Sequence, residues 1–267
     1  MIHQTLTRLR EQGRSALIPY LTAGVPDLQS TVPLLLALEA AGADLIELGV
    51  PFSDPVADGP VIQRASEKAL SNGASLGKIL ELVNDARSRG LKTPIILFSY
   101  YNPIYHLGLE RFAQQARTAG VDGVLVVDLI PEAAQNYISC MRSVGLETVF
   151  LAAPTTQAER LAAIDEASSG CVYYVSRTGV TGVRSEMAGS LNQDLQLLRS
   201  RLRQPVIVGF GVSTPEHVRA LAGHADGIVV GSALMAAIEA ASAPEAALAA
   251  ASKLISELKQ PLTKVST

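Results

Sequence analysis

The chain has 267 residues, 48% hydrophobic and 18% charged, with a formal charge of -3. That balance fits a globular enzyme with a large apolar core, and no basic field exists to attract nucleic acid or an acidic membrane. The two cysteines, Cys140 and Cys171, make no disulfide framework; both fall among apolar residues and are expected as small buried hydrophobes in a reducing cytoplasm.

Residues 2–12 carry the first helical pattern. This polar start lacks the apolar core of a signal peptide. Eight short apolar runs follow, at residues 16–23, 44–50, 94–99, 123–129, 148–153, 171–176, 205–210 and 227–231, each bounded by Gly, Pro or polar residues. Continuous apolar character suits parallel strands buried on both faces. Helical spacing fills the gaps, with Leu34, Leu35 and Leu38 in one and Leu195, Leu198 and Leu202 in another. Helix stops are expected at Gly42, Gly90, Gly120 and Gly145. Thr214-Pro215-Glu216 reads as an N-cap with proline at the first helical position. An additional helix is expected over residues 75–89, after the second strand. The alanine-rich stretch from Leu234 to Leu254 reads as the final helix against the barrel. Glu239 and Glu245 interrupt it, and no apolar run reaches the roughly 18 residues a bilayer requires.

Strand–helix alternation repeated about eight times points to one (β/α)8 TIM barrel spanning residues 1–267. A doubly wound open sheet is the other arrangement that this alternation allows. In a barrel, sites form at the C-terminal ends of the strands, and the stretch LIELGVPFSDPVADGPVIQ, residues 45–63, stands out there. Glu47 sits within an apolar run, where a charge is costly to bury. Period-two alternation places Leu45, Glu47 and Gly49 on one side of the strand. If that side faces the axis, Glu47 projects into the barrel mouth, where desolvation raises its pKa and lets it carry a proton. Asp54 and Asp58 follow in a loop restrained by Pro51, Pro55, Gly59 and Pro60. Each is open to two readings, a helix cap or Asx turn and a carboxylate held over the mouth. Asp128, at the end of the fourth run, either orients a neighbour or satisfies loop N–H groups.

Glycine-bearing loops follow the last three strands: Gly179 to Gly182, Gly209 to Ser213, and Gly231-Ser232. Glycines and helix N-termini let backbone N–H groups approach an anion, and barrels hold phosphate after strands 7 and 8. Tyr20, Tyr100 and Tyr173 lie within or at the ends of strands, where they either wall an aromatic pocket or pack the core. The four histidines are scattered without metal-ligand spacing, so no metal site is expected. No lysine stands at a strand's C-terminal end, which argues against Schiff-base chemistry.

Together these strings resemble the tryptophan synthase alpha subunits. ELGVPFSDPVADGPVIQ is specific to that family, and SRTGVTG (176–182), GFGVS (209–213) and VVGSAL (229–234) match in order and spacing. The resemblance covers essentially the whole chain. It implies a barrel lyase that cleaves indole-3-glycerol phosphate to indole and glyceraldehyde 3-phosphate without a cofactor. It also implies a partner beta subunit, which carries pyridoxal phosphate, in an alpha2-beta2 tetramer. Glu47 and Asp58 match the catalytic acids; Gly182, Gly211, Gly231 and Ser232 match phosphate-site positions; Tyr173 and Tyr100 match substrate-pocket positions. Thr181 matches the threonine of a loop, residues 178–190, that closes over the site, while Pro51 and Asp54 match positions facing the beta subunit. A cytoplasmic location follows, or an organelle stroma. Two positions differ from the family: proline comes one residue late in Asp128-Leu129-Ile130-Pro131-Glu132, and Tyr20 stands where Phe is common. Two rival functions remain, another phosphosugar isomerase or epimerase on the same barrel and a non-catalytic allosteric partner of a beta subunit.

Overall fold

A computed structural model describes residues 1–175, 185–209 and 211–263. Helix α1 (Ile2–Glu11) precedes β1 (Ala16–Thr22), α2 (Leu28–Ala40) and β2 (Ile46–Gly49), after which two helices run in succession, α3 (Pro60–Ser71) and α4 (Leu76–Ser88). Next come β3 (Ile95–Ser99), the short α5 (Tyr101–Leu107), α6 (Leu109–Ala119), β4 (Gly123–Val126), α7 (Gln135–Ser143), β5 (Glu147–Ala152) and α8 (Ala158–Ala167). The chain continues through β6 (Cys171–Val175), α9 (Ser185–Arg201), β7 (Val206–Gly209), α10 (Pro215–Leu221), β8 (Gly227–Val230), α11 (Ser232–Glu239) and α12 (Pro244–Thr263).

The eight strands are parallel and close into a barrel, β8 returning to β1. The closed barrel, and not the open sheet, is therefore the outcome of the strand–helix alternation. The apolar runs are buried on both faces, as fits strands covered by helices outside and packed side chains within. Helix α1 plugs the N-terminal end, where Ile2 and Leu6 lie against Gly123 and Gly227, positions with no room for a side chain.

Carboxylates brace that end. Asp44, Asp122 and Asp226 each accept an N–H from the start of a neighbouring strand, at Leu17, Ile95 and Val206, all at 2.8 Å. Each also meets a cation, Lys259, Arg87 and Arg199 respectively. Glu147 does the same for α1, accepting from the Ile2 N–H at 2.6 Å and from the Met1 amine at 3.0 Å. Polar groups at one end of the barrel are thus consumed by structure, which leaves the other end for chemistry.

The helix-ending glycines behave as the sequence predicts, with Gly42, Gly90, Gly120 and Gly145 all at positive φ. Thr214 caps α10, its hydroxyl accepting from the His217 N–H. Three expectations change. The alanine-rich stretch is two helices, because Pro244 starts a new one at α12 and Ala240 to Ala243 break the path between. Cys140 is half-buried on α7, whereas Cys171 is buried. Strand β4 ends at Val126, so Asp128 lies in the turn after it, exposed, and accepts the Tyr101 N–H at 2.7 Å. Among the described residues no helix is long and apolar enough to cross a membrane.

Candidate active site

A cavity of about 530 Å³ opens at the C-terminal end of the barrel. Tyr20, Glu47, Phe98, Phe150, Tyr173 and Val229, from six different strands, form its floor and walls. Glu47 therefore does face the axis. Tyr20 stands opposite it in register on β1. Two glycines make room for the tyrosines. A Cβ at Gly49 would overlap the Tyr20 hydroxyl, and a Cβ at Gly209 would overlap that of Tyr173. Backbone without a side chain is what lets each ring lie across the neighbouring strand. The Tyr20 hydroxyl accepts from Thr22 Oγ1 at 3.2 Å, and its ring meets Phe98 edge-on at 5.2 Å.

Glu47 is 1% exposed, and its Oε1 has no hydrogen-bond partner among the described residues. An ionised carboxylate in such a place is costly. Burial pushes its pKa from the ordinary 4.5 up to about 8, with the charge of Asp58 adding to the rise. At neutral pH Glu47 holds its proton.

Asp58 reaches the same cavity from the loop after β2. Gly59, not Asp58, is the N-cap of α3, and Pro60 opens that helix. The capping reading fails because the Asp58 carboxylate turns the other way, accepting from the Tyr100 hydroxyl at 3.1 Å. Burial raises its pKa to about 6, while the Tyr100 hydrogen bond pulls it down. The two acids thus sit in environments that separate their proton affinities, which is how paired carboxyls divide acid and base roles.

The loop carrying Asp58 is closed by its own bonds. Asp58 N–H donates to Pro55 O at 3.0 Å, and Gln63 Nε2 donates to Asp58 O at 2.9 Å and to Pro55 O at 3.3 Å. Gln63 has no role in the reading of the sequence, although it ends the loop string; nothing in its type alone distinguishes it from any helix-surface glutamine. The aromatic walls Phe98 and Phe150 are likewise invisible beforehand, because an inward phenylalanine in a strand reads as core.

Gly211, Gly231 and Ser232 also line the cavity, with Gly231 close to Ile62 in the first turn of α3. Gly231 is the N-cap of α11 and Ser232 its first residue, with no side chain bonded across that terminus. Helix N–H groups without a side-chain partner among the described residues are suited to receive an anion. Tyr173 lines the cavity, but Tyr100 is 2% exposed and stands behind it, touching Asp58. Pro51 is buried; Asp54 is exposed and accepts from the Ser53 hydroxyl. Gly182 and Thr181, together with residues 176–184, lie outside the described residues. No group of three or more His, Cys, Asp or Glu among the described residues is arranged to hold a metal ion.

The sequence profile of the family described as tryptophan synthase alpha chain matches residues 6–263. The tryptophan synthase alpha chain of Burkholderia pseudomallei (strain 1106a) is 48% identical over 258 residues, covering 97% of this chain and 95% of that one. The crystal structure of tryptophan synthase subunit alpha from Legionella pneumophila str. Paris superposes with a TM-score of 0.88 at 40% identity, over 99% of this chain and 98% of that one. A chain of the tryptophan synthase a2b2 complex from Pyrococcus furiosus does so with a TM-score of 0.85 at 46% identity, over 92% and 98%. Acid pair, aromatic cavity, bare helix terminus and full-length similarity converge: this chain belongs to the tryptophan synthase alpha chain family, the lyases of the alpha reaction in tryptophan synthesis.

Proposed function

We propose that the chain cleaves indole-3-glycerol phosphate into indole and glyceraldehyde 3-phosphate by a retro-aldol step, with Glu47 and Asp58 in separate roles. The observation that carries this is the pairing, in one cavity, of a buried Glu47 carboxyl whose Oε1 has no partner among the described residues with an Asp58 carboxyl that accepts from the Tyr100 hydroxyl, surroundings that favour the proton on the first and the charge on the second. Glu47 gives its proton to the ring carbon that bears the glycerol chain, and positive charge develops on the ring nitrogen. Asp58, ionised, accepts the hydrogen bond of the ring N–H and offsets that charge. The Glu47 carboxylate then takes the proton of the glycerol hydroxyl next to the ring. The carbon–carbon bond breaks, its electron pair returns to the ring, and the aldehyde forms. One proton passes from hydroxyl to ring carbon through Glu47, which ends as it began. The protonated indole is itself the electron sink, so the step calls for no cofactor in this chain.

Gly211, Gly231 and Ser232, with Gly182, hold the phosphate through backbone N–H groups. Tyr173 belongs to the indole wall, and Thr181 to the closing loop, on the family resemblance. The partner is a beta subunit carrying pyridoxal phosphate, assembled as alpha2-beta2; the a2b2 assembly named for the Pyrococcus relative supports this. The loop of Pro51 and Asp54, with Val56 85% exposed at its tip, is the surface offered to that subunit. The assembly works in the cytoplasm, with neither nucleic acid nor membrane involved. Family membership displaces the isomerase and epimerase alternative, and the retained acid pair argues against a purely allosteric role.

The test is indole release from indole-3-glycerol phosphate by the purified chain, with and without a tryptophan synthase beta subunit. The chain contains no tryptophan, so indole-bearing ligands are followed without tryptophan fluorescence from this chain. Slow release that rises strongly with the beta subunit supports both the reaction and the coupling. No release under either condition overturns the reading.

A further inference from the structure

Tyr100 begins α5 as its N-cap, directly after β3. Among the described residues its hydroxyl has two polar contacts, both to the loop of Asp58: it donates to Asp58 Oδ2 at 3.1 Å and accepts from the Ala57 N–H at 3.0 Å. With its oxygen accepting from Ala57, the phenolic proton is directed at the carboxylate. Phe52, from the same loop, stacks on the Tyr100 ring at 4.9 Å. Behind the ring, Asp128 accepts the N–H of Tyr101 at 2.7 Å and so ties the start of α5 to the turn after β4. The ring is buried and takes no part in the cavity wall.

We propose that Tyr100 is a positioning residue for the reaction, its hydroxyl keeping the Asp58 carboxylate ionised and aimed into the cavity, with Phe52 and Asp128 holding the ring in place. This rests on the reading of Asp58 as the anion that stabilises the ring cation. A donor on a partly buried carboxylate favours the charged form. The charged form is the one the reaction requires. Other groups whose charge reaches this region are Glu47 across the cavity, which adds to the proton affinity of the Tyr20 and Tyr173 hydroxyls, and Asp128 behind Tyr100. None of these supplies a proton-donating bond to Asp58 among the described residues. A wall residue would act on substrate binding, whereas a residue acting through Asp58 changes the pH range over which the enzyme works.

Tyr100→Phe removes the hydroxyl and keeps the ring on Phe52. In the complex with a beta subunit, the acid limb of kcat/KM should move up by about one pH unit, so that the loss at low pH is about tenfold greater than at pH 8. The KM for indole-3-glycerol phosphate at pH 8 should stay within twofold. Independently of turnover, 13C NMR of the aspartate carboxyls, with the Asp58 signal assigned by its loss in Asp58→Asn, should show Asp58 titrating higher in Tyr100→Phe. An unmoved acid limb with an unmoved Asp58 titration overturns the proposal, as does a loss carried by KM alone. If Asp58→Asn itself keeps wild-type turnover, the catalytic reading of Asp58 is what fails.

Discussion

Replacing Glu47 by Gln should make the protein more stable, and increasingly so as pH rises. The folded carboxyl ionises at about 8 and the unfolded one near its ordinary 4.5. Between those values the unfolded chain has lost this proton and the native chain has kept it. Stability therefore falls with rising pH across that window and levels off above it. Glutamine has the same shape and no charge to bury, so the variant lacks this decline. At 1.36 kcal/mol per pH unit, Glu47 costs on the order of 1 kcal/mol at pH 5.5 and about 3 kcal/mol more at pH 8.5. The widening of about 3 kcal/mol corresponds to about 5 °C in Tm for a chain of this size. Thermal unfolding of both proteins, followed by far-ultraviolet circular dichroism at pH 5.5 and 8.5, measures the gap directly. Any fixed cost of burying the amide cancels in the comparison. A Tm difference that stays constant between the two pH values would refute a protonated, desolvated Glu47.

On the proposed mechanism the same acid pair sets the activity. Glu47→Gln should lower indole release by at least about 1,000-fold while substrate binding, read by equilibrium dialysis, changes only a few-fold. In the wild type kcat/KM should be bell-shaped, falling below about pH 6 as Asp58 gains a proton and above about pH 8 as Glu47 loses one; a profile flat from 5 to 9 would contradict both assignments. Ser232→Asp places a negative charge at the start of α11 and should raise KM for the phosphate substrate at least tenfold, with kcat less affected. Gly49→Ala drives its Cβ into the Tyr20 ring and should cut activity about tenfold or more, and Tyr20→Leu in the same chain should restore part of it. Steady-state kinetics of the single and double variants decides.

Much of the architecture is legible in the chain because its signals are local. Apolar runs of five to eight residues, bounded by glycine, proline or polar residues and alternating with helical spacing, suit a parallel sheet covered by helices. Glu47 shows itself by standing in such a run, and period two fixes its side. What escaped depends on where loops go. Asp58 was open between cap and catalyst because both need the same residue at the same place; only the direction of its carboxylate, toward Tyr100 and away from α3, separates them. Tyr100 is open in the sequence between pocket wall and core, with the family resemblance favouring the pocket; α5 starts at the next residue, and the buried ring sets its hydroxyl on the loop of Asp58. Gln63 carried no sign at all, since its value lies in two carbonyls that the loop brings together. The alanine-rich stretch has the look of one helix because alanine favours helix everywhere, whereas Pro244 opens a second.

Hydrogen exchange at the indole ring tests the central claim most directly. Indole incubated in D2O with the protein and glyceraldehyde 3-phosphate meets Glu47 at the carbon that is to be protonated. Wild-type protein should place deuterium at that carbon well above the rate in buffer, and Glu47→Gln should do no better than buffer. Exchange by Glu47→Gln at the wild-type rate would mean that another group carries the proton.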